Sequence, residues 1–173
     1  MSQGFILWLT GLSGAVRARS AMPSSRCWSR GKKVELLDGD VVRTHLSKGL
    51  TFSKEDRDVN VRRIGWVADL VARHGGVALV AAISPFREVR DEVKRTYANV
   101  VEVYVNASVD ECARRDVKGL YAKAMKGEIP NFTGVSDPYE PPTNPDVELK
   151  TADELVQQSA AKVIEHLQSR GLL

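Results

Sequence analysis

Short apolar runs alternate along the chain with longer stretches patterned at helical spacing. Residues 5–10, 34–37, 77–83 and 100–105 read as strands, with a weaker candidate at 146–149. Ser53 can cap a helix running to about residue 73, with Asp56 in its first turn and Ile64, Val67 and Val71 on one face. Over 86–97, Val89, Val93 and Tyr97 recur at helical spacing. Thr151 with Glu154 has the form of a capping box ahead of Leu155, Ser159, Val163 and Leu167, and Gly171 can end that helix. Strands alternating with helices predict an α/β fold: a parallel sheet covered on both faces, with ligands at the carboxyl ends of the strands.

The first strand runs into Gly11-Leu12-Ser13-Gly14-Ala15, the opening of a phosphate-binding loop. The full pattern, G-x-x-x-x-G-K-[ST], requires Gly, Lys and a hydroxyl residue next, and the chain has Val16, Arg17 and Ala18. Backbone N–H groups at a helix N-terminus cradle the phosphates in this motif, the Lys reaches the β- and γ-phosphates, and the hydroxyl ligates magnesium. Val16 places a branched side chain where backbone must meet phosphate, and Ala18 lacks the hydroxyl, so the loop as it stands is expected to bind ATP poorly.

A reading-frame slip accounts for the break. If one nucleotide is missing near codon 15, each original codon is the last base of one present codon followed by the first two of the next. The shifted frame permits Gly-Lys-Ser-Thr-Leu over 16–20. It also places apolar residues at 20, 23, 24, 27 and 28, which is one face of an amphipathic helix. Residues 16 to about 30 therefore read as frameshifted. As it stands the segment, with Pro23 and several serines, is a poor helix interior.

Charge changes with that segment. The 173 residues carry 25 Lys and Arg against 22 Asp and Glu, a net charge of +3. Without Arg17, Arg19, Arg26 and Arg30 the balance is 21 to 22, or −1. The basic character is thus no argument for a nucleic-acid or membrane partner. With 43% hydrophobic residues the chain is expected to form one domain, 1–173. Its longest apolar run is too short for a bilayer, no signal-peptide pattern opens it, and Cys27 and Cys112 make no disulfide framework. These features predict a cytoplasmic protein.

Four further clusters carry candidate chemistry. Asp38-Gly39-Asp40 after the second strand, followed by Arg43, offers two carboxylates for magnesium or for orienting a hydroxyl; the plainer reading is a turn with a helix N-cap. In the segment 52–60, Arg57 and Asn60 share a helix face and can meet one ligand. Phe52 can stack on a purine or serve as a hydrophobic staple. Ser84, in Ile83-Ser84-Pro85, can donate to a ligand or cap the next helix. The stretch 116–142 is rich in Gly, Pro, basic and aromatic residues with little apolar periodicity. It reads as an irregular lid carrying Lys118 and Phe132, or as a plain surface loop.

Gly11-Leu12-Ser13-Gly14-Ala15, Asp38-Gly39-Asp40, 52–60, Ile83-Ser84-Pro85, 116–121 and Asn131-Phe132-Thr133-Gly134 together resemble the adenylylsulfate kinase (APS kinase) family over nearly the whole chain apart from 16–30. The resemblance implies a P-loop kinase-like three-layer fold. It also implies phosphorylation of the 3′-hydroxyl of adenosine 5′-phosphosulfate (APS) by ATP with Mg2+, giving 3′-phosphoadenylyl sulfate (PAPS) and ADP in sulfate assimilation. It assigns Gly11, Leu12, Ser13, Gly14 and Ala15 to ATP, and Asp38 and Asp40 to the metal. Substrate binding falls to Asp40, Arg43, Phe52, Arg57, Asn60, Ile83, Ser84, Lys118, Leu120 and Phe132, and catalysis to Ser84, Asp38 and Lys118. A homodimer and association with ATP sulfurylase are implied as well. The family's serine, here Ser84, is sometimes described as a phosphoserine intermediate, although in-line transfer to a positioned hydroxyl requires no covalent relay. The alternative is a catalytically impaired module that binds APS or PAPS, because the phosphate loop is degenerate.

Overall fold

The computed structural model describes residues 3–15, 31–116 and 119–173. The segment 16–30, on which the frameshift reading rests, and Lys118 lie outside the described residues. Five strands, β1 (Phe5–Thr10), β2 (Val34–Asp38), β3 (Val77–Ala81), β4 (Val100–Asn106) and β5 (Val147–Lys150), form one sheet in the order β2-β3-β1-β4-β5. Every pairing is parallel, with Phe5 opposite Val77 and Ile6 opposite Val100 across the central strand.

Six described helices cover the sheet: α1 (Gly39–His45), α2 (Lys54–Arg73), α3 (Arg87–Thr96), α4 (Val109–Arg115), α5 (Leu120–Met125) and α6 (Val156–Ser169). The two-residue alternation of β1 divides the core between the faces. Phe5, Leu7 and Leu9 pack with Val101, Val103, Cys112, Tyr121, Val163 and Leu167, on the side of α4, α5 and α6. Ile6 and Trp8 pack with Val42, Ile64, Ala68, Val89 and Val93, on the side of α1, α2 and α3. Each such large side chain removed from water contributes about 1.5–3 kcal/mol, so the central strand is the main apolar anchor. The approach to it is tight: a Cβ added at Gly4 would lie 2.2 Å from the Ala72 carbonyl oxygen at the end of α2.

The expected parallel sheet with helices on both faces is therefore present. Some boundaries differ. β3 stops at Ala81 instead of continuing to 83, because Ala82 to Ser84 turn away to build the site. Helix α6 starts at Val156, not at Thr151. Arg115 donates to both the hydroxyl and the carbonyl of Thr151, and Glu154 accepts from Lys162 and Ser159, so the expected capping pair is spent on other contacts. Gln158 instead accepts from the Leu155 N–H. The stretch expected to be irregular contains α5, started by the Asp116 carboxylate, which accepts from the N–H groups of Leu120 and Ala122.

Candidate active site

The carboxyl end of β1 emerges between those of β3 and β4, and the site gathers there. Thr10, fully buried, donates its hydroxyl to the Ile83 carbonyl at 2.7 Å. With that proton committed, the Tyr139 hydroxyl 2.9 Å away donates to Thr10. The loop that follows closes on itself through Ala15 N–H to the Leu12 carbonyl, 3.0 Å, and Gly14 turns with a φ of +78° against the main chain of Cys112. Tyr121 of α5 donates to the Ser13 carbonyl at 2.9 Å, and its burial pushes the phenol pKa upward. The phosphate-loop opening is thus held from below by the strand and from the side by α4 and α5.

Next along the edge, Asp38 ends β2 and caps α1, its Oδ1 accepting from the Asp40 N–H at 2.9 Å. The turn-and-cap reading and the presentation of two carboxylates at a strand end are both satisfied by one geometry. Arg43, on α1, donates to the carbonyls of Leu50 and Thr51, and its guanidinium lies 4.3 Å from the Phe52 ring centroid. Phe52 is 53% exposed, so the ring is available to a ligand on its open side.

Arg57 and Asn60 share the buried face of α2, as their spacing requires. The Arg57 guanidinium donates to the Phe52 carbonyl (2.8 Å), the Thr133 hydroxyl (2.9 Å) and the Asn131 carbonyl (2.5 Å), and pairs with Asp137 at 3.3 Å. In this conformation it ties α2 to residues 131–137. Burial pushes its pKa down and the Asp137 charge pushes back. Asn60 Oδ1 is buried and accepts no hydrogen bond among the described residues. An orphaned buried acceptor suits a ligand donor.

The stretch 131–137 also touches the phosphate-loop opening. A Cβ at Gly134, whose φ is +91°, would stand 2.8 Å from Leu12 Cδ2. Phe132 packs edge-on against Tyr121, with ring centroids 4.9 Å apart, and accompanies the core on that face. Leu120 opens α5. Ser84 is 3% exposed and holds a φ of +48°, uncommon for a residue with a side chain. Its hydroxyl accepts from the Trp8 indole at 3.1 Å and faces the Ala82 carbonyl.

Sequence reasoning passed over Thr10, Arg90, Thr133, Asp137 and Tyr139. Arg90 is buried on α3 and donates to the Ser84 carbonyl, the Glu140 carbonyl and Glu102. From spacing alone it reads as a solvated helix residue. Its Gly-Pro-rich lid neighbours carry no periodic signal that would pair them with it.

A parallel sheet with a glycine-bearing loop at the tip of its central strand and an aspartate pair at the end of its edge strand β2 is the architecture of a P-loop kinase-like phosphotransferase. The family profile described as adenylylsulphate kinase matches residues 3–150. The adenylyl-sulfate kinase of Rippkaea orientalis is 53% identical over 172 residues, covering 99% of this chain and 95% of that one. A probable bifunctional SAT/APS kinase of Sorangium cellulosum is 52% identical over 97% of this chain, which spans 29% of its length. Among solved structures, the Mycobacterium tuberculosis APS kinase in complex with AMPPNP and APS superposes with a TM-score of 0.90 at 40% identity, covering 97% of this chain and 99% of that one. The chain belongs to the adenylylsulfate kinase family.

Proposed function

We propose that this chain transfers the γ-phosphoryl group of ATP to the 3′-hydroxyl of APS, giving PAPS and ADP, and so serves sulfate assimilation. The observation that carries the reading is the meeting, at one sheet edge, of the phosphate-loop opening, the Asp38–Asp40 pair, the 83–84 turn and a lid seated on Leu12. Its counterpart of 40% identity holds AMPPNP and APS.

Asp38 orients the ribose hydroxyl or accepts its proton, and Asp40 assists the metal. Phosphoryl transfer asks mainly for positioning and charge stabilisation, so these groups need not form covalent bonds. Arg43, Arg57 and Asn60 bind the phosphosulfate and adenosine, with Phe52 and Phe132 bracketing the base and Ile83 and Leu120 lining the pocket. Lys118, in the lid, stabilises charge on the transferring group. We assign Ser84 to holding the substrate turn, since its hydroxyl is engaged by Trp8. Magnesium usually keeps only one or two protein carboxylates and completes its shell with phosphates and water. Asp38 and Asp40 fit that donor set, and no cluster of three or more His, Cys, Asp or Glu forms a cage among the described residues. Bound with ATP, the ion supplies neutralisation of phosphate charge. A cytoplasmic homodimer that associates with ATP sulfurylase completes the reading. The bifunctional relative supports the last point.

Val16, Arg17 and Ala18 favour a second reading, a module that binds APS or PAPS without turnover. Calorimetric titration with APS, then incubation with MgATP and APS and separation of the nucleotides, distinguishes the two. The kinase forms ADP and PAPS in equal amounts. The module binds APS and forms neither. Failure to bind APS at all removes both readings.

A further inference from the structure

Arg90 is 2% exposed, yet its guanidinium is spent on three segments: the turn just before its own helix, β4, and the distant stretch at Glu140. Nε meets Glu102 of β4 at 3.0 Å, one terminal nitrogen donates to the Ser84 carbonyl at 2.5 Å, and the other donates to the Glu140 carbonyl at 2.6 Å. Its Cζ lies 5.6 Å from the Tyr139 ring centroid, and Tyr139 in turn bonds Thr10 at the root of the phosphate loop. The Glu140 carboxylate accepts from the Arg87 N–H, capping the helix that carries Arg90. Burying a guanidinium is costly, and evening out the charge of Glu102 does not require one, because Lys94 already approaches that carboxylate at 3.5 Å. What only a planar fork can do is satisfy three acceptors at fixed angles. Two of them belong to the backbone on either side of the substrate region, and one is the carbonyl of Ser84, whose left-handed φ persists only if its surroundings over-determine it.

We propose that Arg90 is the positioning residue that sets the Ser84 turn and the lid base at Tyr139–Glu140 in one register, so that APS affinity depends on a guanidinium sealed away from the substrate. This rests on the reading that the turn and the lid contact APS. The test compares APS titrations, melting temperatures and tryptic cleavage after Lys123 and Lys126 for the parent chain, Arg90→Met, Arg90→Lys and Val93→Ala. Val93 is a buried apolar residue one turn further along the same helix. Displacing a binding turn by a fraction of an ångström is expected to weaken APS binding about tenfold in Arg90→Met. The lid should also be cleaved faster. Arg90→Lys keeps the charge but cannot reach all three acceptors, so it should show most of the same loss. Val93→Ala should lower the melting temperature while binding APS within about twofold of the parent. If Arg90→Met does not fold, Arg90→Lys and Tyr139→Phe, which loses only the hydroxyl facing Thr10, carry the comparison. The inference is overturned if the folded Arg90 variants bind like the parent, or if Val93→Ala loses as much affinity. A parent chain that does not bind APS overturns the functional reading itself, and the inference with it.

Discussion

At the scale of single residues, side chains in this site work through where their hydrogen bonds are committed. Arg57 donates to Phe52, Asn131 and Thr133 and pairs with Asp137, so its loss frees the lid from α2 as well as removing a cation. Hydrogen bonds from a charged group contribute about 1.5–3 kcal/mol each, and 1.4 kcal/mol is tenfold in an equilibrium. Arg57→Ala in a chain with an intact phosphate loop is therefore expected to raise the KM for APS at least about tenfold. The KM for ATP should rise less than that for APS, since none of the hydrogen bonds of Arg57 among the described residues goes to the phosphate-loop opening. Steady-state kinetics with each substrate varied in turn checks this, and an equal rise in both constants would refute the assignment. The pairing of Arg57 with Asn60 was legible from their spacing of three. Its partners in the lid were not, because no local pattern links positions more than 70 residues apart.

At the scale of elements, α4 shows how a short helix supports the phosphate loop. Ser108 caps it, Cys112 lies beneath Gly14, and Glu111 accepts from Arg114 and Arg115. Arg115 also fixes Thr151 beyond β5. The Arg114 hydrogen bond, opposed by desolvation and helped by Arg115, pushes the Glu111 pKa from 4.5 down to about 2. A depressed carboxylate contributes stability that is fully present above its unfolded pKa and is lost as pH falls through the folded one. The window is thus pH 4.5 down to about 2. Glu111→Gln is expected to unfold at lower urea concentration than the parent at pH 7, with the gap narrowing as pH drops through that window. A gap that stays constant to pH 3 would show that the ion pairs do not stabilise the fold. Strands and long helices were readable here because burial imposes its period on them. α5 was not, since six residues begun by a side-chain cap carry too little periodicity to register.

For the molecule as a whole, activity is expected to depend on the incomplete phosphate-loop motif at Val16, Arg17 and Ala18. Shifting the frame across codons 15 to 30 permits glycine, lysine and a hydroxyl residue together with an apolar helix stripe, and is expected to raise turnover about a hundredfold or more. Stability should rise in parallel. Val16→Gly or Arg17→Lys alone should not achieve this, because the hydroxyl and the helix face remain missing. ADP release and thermal melts on the three proteins measure both effects, and resequencing the gene shows whether the slip is present in the DNA. If the unrepaired chain phosphorylates APS as fast as the repaired one, the frame argument is wrong.

By itself the sequence determined the parallel α/β layering, because apolar runs alternating with helical stripes leave few other ways to bury both sheet faces. It also offered a candidate chemical kit: a phosphate-loop opening, two carboxylates, a basic helix face and the Gly- and Pro-rich stretch 116–142. Tertiary structure alone decided which of these groups meet. Thr10 reaching Ile83, Arg57 reaching Asn131 and Arg90 joining the nearby Ser84 turn to Glu140 bring together segments that no local pattern links. The physical reason is range. Periodicity and capping act over a turn or two of chain, whereas a buried guanidinium is satisfied by whichever carbonyls the closed sheet delivers to it.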